Sequence, residues 1–262
     1  MIMVGQNSMQ SYYEDILKNG SKALPRGLET IGLVDQSFWF HPGEVYLRDN
    51  INVAIGFVEL LQFISGSFSI APFEMVAPRA RLDLFTLQSA YGPRVVDQLP
   101  RAIEDLKGDQ YSRRSVIMIA HPTDTPETLP CTLSMQFQIQ EDPQKSTFTL
   151  STIATMRSSD LVWGLPTDII QFGGIALMVA NCVGAIPGEC VVNAGNAHVY
   201  TQTKLKYTDR YFLGGHFRLP MFYKFDEYKS WAEAALLKIA SGHQKTREIF
   251  QFQKHNLVRI AI

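Results

Sequence analysis

Four polar clusters interrupt otherwise apolar surroundings in this sequence: Leu129-Pro130-Cys131-Thr132, Met156-Arg157-Ser158-Ser159-Asp160, Gly164-Leu165-Pro166-Thr167-Asp168, and Gly195-Asn196-Ala197-His198-Val199-Tyr200. A fifth, Ser112-Arg113-Arg114, opens a predicted strand. Cys131 follows a proline at a loop-to-strand junction. A lone cysteine is usually a small buried hydrophobe. Arg157-Ser158 supplies the opposite reading, because a guanidinium close to a thiol favours the nucleophilic thiolate. Whether the two meet does not follow from their separation along the chain.

The remaining candidates carry the same double meaning. Arg113, Arg114 and Arg157 have the forked donors that chelate phosphate, and an Arg-Arg pair at a strand edge is also an ordinary solvated face. Asp168 stands where an apolar helix is predicted to begin, so helix capping competes with chemistry. His198 and Tyr200 alternate on a strand and share one face; a satisfied structural histidine is the plain alternative. Glu59 sits among apolar neighbours within a helical stretch. Other site types find little support. The histidines form no HExxH and the cysteines no CxxC, so no metal site is expected. Neither GxGxxG nor a phosphate-binding lysine loop appears, and Ser134 and Ser158 lack the GxSxG elbow.

The elements that must position these residues read as α+β. Helices are predicted over Met9–Lys18, Ile51–Ile64, Val95–Leu106, Ile169–Val183 and Tyr228–Ala240, from apolar spacing near 3.6. Strands are predicted over Gly32–Phe40, Ser115–Ala120, Thr132–Gln140, Ser146–Met156 and Glu189–Gln202. In the third of these, Leu133, Met135, Phe137 and Ile139 alternate with Ser134, Gln136 and Gln138, as in a half-buried strand. The stretch Ile169 to Ala185 contains Gln171, Asn181 and two adjacent glycines, so it reads as a central buried helix rather than a membrane span. No repeat or linker divides the chain, and residues 1–262 are expected to form one domain.

The formal net charge is -1, which offers no global field for a nucleic-acid polymer, while a small anion needs only local arginines. The first residues lack a basic-then-apolar leader pattern. Three cysteines are too few for a disulfide framework, and a reducing cytoplasm is the expected location.

Taken in order, the clusters resemble the thymidylate synthases and their phage relatives, the deoxycytidylate hydroxymethylases. The matching run is Arg26, Val58-Glu59-Leu60-Leu61-Gln62-Phe63, Tyr91-Gly92, Ser112-Arg113-Arg114, Pro130-Cys131 with Gln136-Phe137, Arg157-Ser158-Ser159-Asp160, Gly164-Leu165-Pro166, Gly195 through Tyr200, and the terminal Ile260-Ala261-Ile262. Each piece is weak alone; the order is what is specific. The resemblance implies a single-domain fold with a mixed sheet, a central buried helix and a homodimer formed through the sheet. It makes Cys131 the nucleophile at carbon 6 of a pyrimidine, and carbon 5 the atom that attacks the one-carbon unit of 5,10-methylenetetrahydrofolate, a co-substrate. Arg157, Ser158 and Arg26 would grip the phosphate, with Gln136 and Ser159 also facing the nucleotide. Arg113 and Arg114 would reach into the partner's site. His198 and Tyr200 would hold the sugar, Asp160, Gly164 and Ile262 would face the folate, and Glu59 would organise water and protons.

Departures from the synthase pattern point to the base. Synthases usually carry asparagine at the position of Asp168, whose amide both donates to and accepts from uracil. An aspartate accepts from cytosine's amine and can share a proton with its ring nitrogen. Thr132 stands in place of the usual histidine, and Met156 through Asp160 resembles the hydroxymethylase version. Thr167 replaces an aromatic residue, and the segment from Phe68 to Gln88 lacks the tryptophans of a synthase folate wall, which would ease water entry. The resemblance therefore implies 5-hydroxymethyl-dCMP as product, a chemistry that a phage origin, in a host cytoplasm, would suit. CMP hydroxymethylation, methyl transfer to dCMP or dUMP, and a catalytically idle nucleotide-binding dimer are the alternatives.

Overall fold

The computed structural model describes residues 8–47, 52–78, 90–142, 147–204, 212–251 and 253–254. Along the chain run α1 (Ser8–Asn19), β1 (Ser21–Ala23), β2 (Thr30–Phe40), β3 (Glu44–Leu47), α2 (Val53–Ser65), α3 (Ala71–Val76), α4 (Gly92–Val95), α5 (Leu99–Gly108) and β4 (Val116–Met118). They are followed by β5 (Thr132–Asp142), β6 (Thr147–Met156), β7 (Ser159–Asp160), α6 (Gly164–Val183), β8 (Ile186–Tyr200), α7 (Thr201–Lys204), β9 (Phe212–His216), α8 (Phe225–Ala240), α9 (Thr246–Ile249) and β10 (Gln253–Lys254). The fold is α+β, as its sequence implies.

The main sheet has the order β1-β2-β8-β6-β5-β4, with β7 also pairing β8. Its pairs are antiparallel apart from β6–β8 and β7–β8, which are parallel. Parallel neighbours need a long crossover, and α6 supplies it between β6 and β8. The sheet is covered on one face. Along β6, Leu150, Thr152, Ala154 and Met156 are buried, whereas Thr149, Ser151, Ile153 and Thr155 remain partly exposed.

Helix α6 is long and apolar enough to cross a membrane by length and composition, but most of it is buried within the protein. It crosses α2 closely at small residues. A Cβ on Gly56 would lie 3.2 Å from Thr167 Cα, and one on Gly174 would run into the Leu60 side chain. This close crossing brings the polar residues of two core helices to the same end of the sheet.

Two helix boundaries differ from the pattern-based expectation. α6 begins at Gly164, because Pro166 falls in the first turn, where a missing N–H costs little. Val95–Leu106 divides into α4, which ends at Val95, and α5, which opens at Leu99 with Pro100 in its first turn, where the missing N–H costs little. Strands β3, β9 and β10 form a second small sheet and are too short to display alternation.

Candidate active site

The register of β5 against β6 brings the thiol and the guanidinium together. Thr132 pairs with Met156, so Cys131 and Arg157, each one residue outside its strand, become neighbours. The Arg157 backbone N–H donates to the Cys131 carbonyl at 2.8 Å. Its side chain folds back over the same loop: Nε donates to the Pro130 carbonyl at 3.1 Å and Nη2 to the Leu129 carbonyl at 3.2 Å. Nη1 reaches Ser158 Oγ at 3.2 Å, and that hydroxyl lies 4.0 Å from the Cys131 sulfur. Cys131 is exposed, whereas Cys182 and Cys190 are buried with their thiols pushed up by burial. Of the three, Cys131 has the access that a nucleophile requires.

On the opposite side, α2 contributes Glu59 and α6 contributes Asp168 and Gln171. Asp168 and Gln171 are three residues apart and share a helix face; Gln171 Nε2 donates to Glu59 Oε2 at 2.8 Å. Burial pushes the Glu59 carboxyl up to about 8, helped by the charge of Asp168. Asp168 is pushed up to about 7, by burial first and then by Asp160. Asp168 lies in the second turn of α6 and is 8% exposed, so capping does not account for it. A carboxylic acid poised near neutrality deep in a helix has no evident packing use. Functional sites often hold such groups.

Strand β8 supplies the third wall. His198 and Tyr200 lie on one face, with ring centroids 5.2 Å apart and edge to face. Burial chiefly holds the His198 imidazolium disfavoured, and the charges of Arg157 and Arg26 add to this. Arg26 sits in the turn Pro25–Gly27 with φ 51, a left-handed backbone that tips it toward the cleft. Asp160, on β7, accepts from the Val162 N–H at 2.9 Å.

These residues line one cleft of about 540 Å³, an ordinary size for a small-ligand site. Arg26, Glu59, Cys131, Arg157, Ser158, Ser159, Asp160, Gly164, Asp168, His198 and Tyr200 all border it. Arg113, Arg114 and Gln136 do not: both arginines are exposed, and Gln136 Nε2 donates to the Arg113 carbonyl at 3.0 Å. Ile262 lies outside the described residues, as do residues 79–88 of the segment without tryptophans. No cluster that could hold a metal occurs among the described residues.

The cleft also includes Thr30, Tyr91, Pro126, Met156, Thr167 and Asn196. Tyr91 is the most consequential addition. Its oxygen accepts from both the backbone N–H and the hydroxyl of Thr132, at 3.3 and 3.1 Å. Burial, and then the charges of Asp168 and Cys131, keep its phenol protonated. With two donors directed at its oxygen, its own proton must point elsewhere. No polar run marks Tyr91 in the sequence, and only the Tyr91-Gly92 pair draws attention to it.

Comparison with known proteins agrees with this geometry. The thymidylate synthase family model matches residues 79–212, just over half of the chain. Thymidylate synthase 1/2 of Encephalitozoon cuniculi is 33% identical over 117 residues, covering 44% of this chain and 38% of that protein. Thymidylate synthase of Agaricus bisporus is 30% identical over 112 residues, covering 42% and 38%. The Bacillus licheniformis enzyme is 29% identical over 135 residues, covering 47% and 46%. The chain thus spans less than half the length of the curated relatives it matches. An exposed thiol, a guanidinium and two carboxyls share one cleft at the end of a mixed sheet, and the match covers the segment that carries most of them: the chain belongs to the thymidylate synthase family.

Proposed function

We propose that this protein transfers a one-carbon unit from 5,10-methylenetetrahydrofolate to carbon 5 of a cytosine nucleoside monophosphate, with dCMP as substrate and 5-hydroxymethyl-dCMP as product. The observation that carries this reading is the buried carboxyl of Asp168 in the same cleft as Cys131 and Arg157. A carboxyl poised near neutrality presents a hydroxyl to ring nitrogen 3 and an accepting oxygen to the exocyclic amine. When the Cys131 thiolate adds at carbon 6, electron density builds on nitrogen 3. The Asp168 proton moves there, leaving a neutral adduct whose ring N–H and exocyclic amine both donate to the carboxylate left behind.

Arg157, Arg26 and Ser158 hold the phosphate, and His198 and Tyr200 hold the sugar. With the sulfur bound at carbon 6, carbon 5 becomes nucleophilic and attacks the one-carbon unit. Loss of the carbon 5 proton and departure of folate leave an exocyclic methylene, to which water adds at carbon while the Cys131 sulfur is expelled from carbon 6. Glu59, protonated at neutral pH and held by Gln171, is the group that orients this water. Thr167, whose hydroxyl is turned back to the Gly164 carbonyl at 2.8 Å, leaves the folate side of the cleft without an aromatic wall at that position. This supports water as the final acceptor. The uncovered face of the main sheet, with Ile153 near its middle, suits a homodimer in which Arg113 and Arg114 serve the partner's cleft.

Tritium release from carbon 5 of dCMP, CMP and dUMP, measured side by side with each product weighed, tests the proposal. Release from dCMP with an added hydroxymethyl mass supports it; a methyl product, or preference for dUMP, overturns it. Cys131→Ala should reduce release by about six orders of magnitude, as removal of a covalent nucleophile does in other enzymes.

A further inference from the structure

We infer that Arg94 and Asp124 form a positioning pair that fixes the Cys131 loop from outside the cleft; this rests on Cys131 being the nucleophile. The loop from Ile119 to Cys131 contains Pro122, Pro126 and Pro130, so much of its backbone cannot be held by a sheet ladder. Side chains hold it instead. Arg94 Nη1 and Nη2 donate to Asp124 Oδ2 and Oδ1, each at 2.8 Å, in a fork-to-fork ion pair whose members are 15% and 7% exposed. The same guanidinium reaches the Ile119 carbonyl at 2.9 Å and the Thr128 carbonyl at 3.5 Å. Asp124 Oδ2 also accepts from the His121 N–H at 2.7 Å. One planar group thus ties together the start, middle and end of the loop.

The single turn α4 ties down more than the loop interior. Tyr91, at its N-terminal end, receives both Thr132 donors just beyond Cys131. Gln98, three residues past α4, donates to the Met118 carbonyl at 2.8 Å and accepts from the Met118 N–H at 2.9 Å. Both ends of the loop are therefore referenced to the same short helix. That helix is itself pressed against α2: a Cβ on Gly92 would lie 2.1 Å from the Gln62 carbonyl oxygen. From the cleft side, Arg157 holds the carbonyls of residues 129 and 130. The sulfur stands at the end of a segment gripped from both sides.

A clamp of this kind controls where the thiolate stands, and displacement of a reacting atom by about 1 Å costs on the order of a hundredfold in rate. Arg157 directly follows β6, which is held by β8 as well as by β5, and Arg26 stands on a separate turn, so most of the phosphate grip should survive its loss. Arg94→Met is expected to lower kcat for dCMP by about 10–100-fold with KM within about threefold. Asp124→Asn should do much the same, and the double variant no worse than either single one. Arg94→Lys keeps the charge but cannot span a carboxylate and two carbonyls together, so it should fall between wild type and Arg94→Met. Hydrogen exchange provides a readout independent of substrate: amides of residues 119–131 should exchange about tenfold faster in Arg94→Met, with α6 and β8 unchanged. Folded Arg94→Met with kcat within twofold of wild type, or with unchanged exchange in residues 119–131, would overturn the assignment. If the wild-type protein turned over none of the three nucleotides, the function proposed above would fall, and the exchange measurement alone would decide the clamp.

Discussion

Glu59→Gln gives a test of the cleft's electrostatics that requires no substrate. The replacement keeps the shape and retains an oxygen to accept from Gln171, now at 2.8 Å, while removing the ionisable proton. The folded-state carboxyl titrates at about 8 against an ordinary 4.5. At about 1.4 kcal/mol per pH unit this corresponds to a ceiling of about 5 kcal/mol. Glu59 opens on a wet cleft and is only partly buried, so roughly half of that, about 2 kcal/mol, is the expected size. Because the folded pKa is raised, the native state binds the extra proton, and its contribution is fully present below about pH 4.5 and lost as pH rises through 8. Wild type should therefore lose about 2 kcal/mol relative to Glu59→Gln between pH 5 and 9, read from urea unfolding at half-unit steps. Asp168 titrates in both proteins, so the difference reports Glu59 together with its coupling to Asp168. A gap that stays constant within about 0.5 kcal/mol over that range would refute the raised titration of Glu59.

Other expected outcomes follow from single contacts. Asp168→Asn should raise the dUMP to dCMP ratio of kcat/KM by about 10–100-fold, the size of one mismatched buried polar edge, measured by tritium release. Gly92→Ala should destabilise the protein by about 3 kcal/mol or prevent folding, because backbone rather than a movable side chain occupies the space, as thermal unfolding would register. Ile153→Arg, on the uncovered face of β6, should shift sedimentation from dimer to monomer while leaving the helix content unchanged.

How much of this the sequence disclosed depends on the kind of signal each residue leaves. The long helices and strands are legible because burial of one face imposes a period: Thr132–Gln140 is found nearly to its limits, and Ile169–Val183 to its C-terminal end though not to its start at Gly164. Cys131, Arg157, Asp168, Glu59, His198 and Tyr200 stand out as polar residues in apolar surroundings, and they share the cleft. Asp168 is the instructive case: the expected helix start made capping a fair alternative, and only the earlier start at Gly164 removes it. Tyr91, Arg94 and Asp124 left no such trace. Their partners are tens of residues away, and a buried ion pair or a doubly accepting phenol has no period to display. Short strands such as β3 and β9 were missed because four or five residues carry too little alternation.

The main sheet is also a hazard of timing. β8 (Ile186–Tyr200) is inserted between β2 and β6, which lie earlier in the chain. A ribosome that has released residues up to 185 has made both flanking strands without the one that joins them. Each then presents a long row of unpaired amides and carbonyls, the template that invites pairing with a neighbouring chain. No contiguous fragment ending before Tyr200 can assemble the cleft, since His198 and Tyr200 arrive on the last strand to enter. Chains truncated before β8 should accordingly aggregate when expressed, whereas the full chain, with β8 in place, should not.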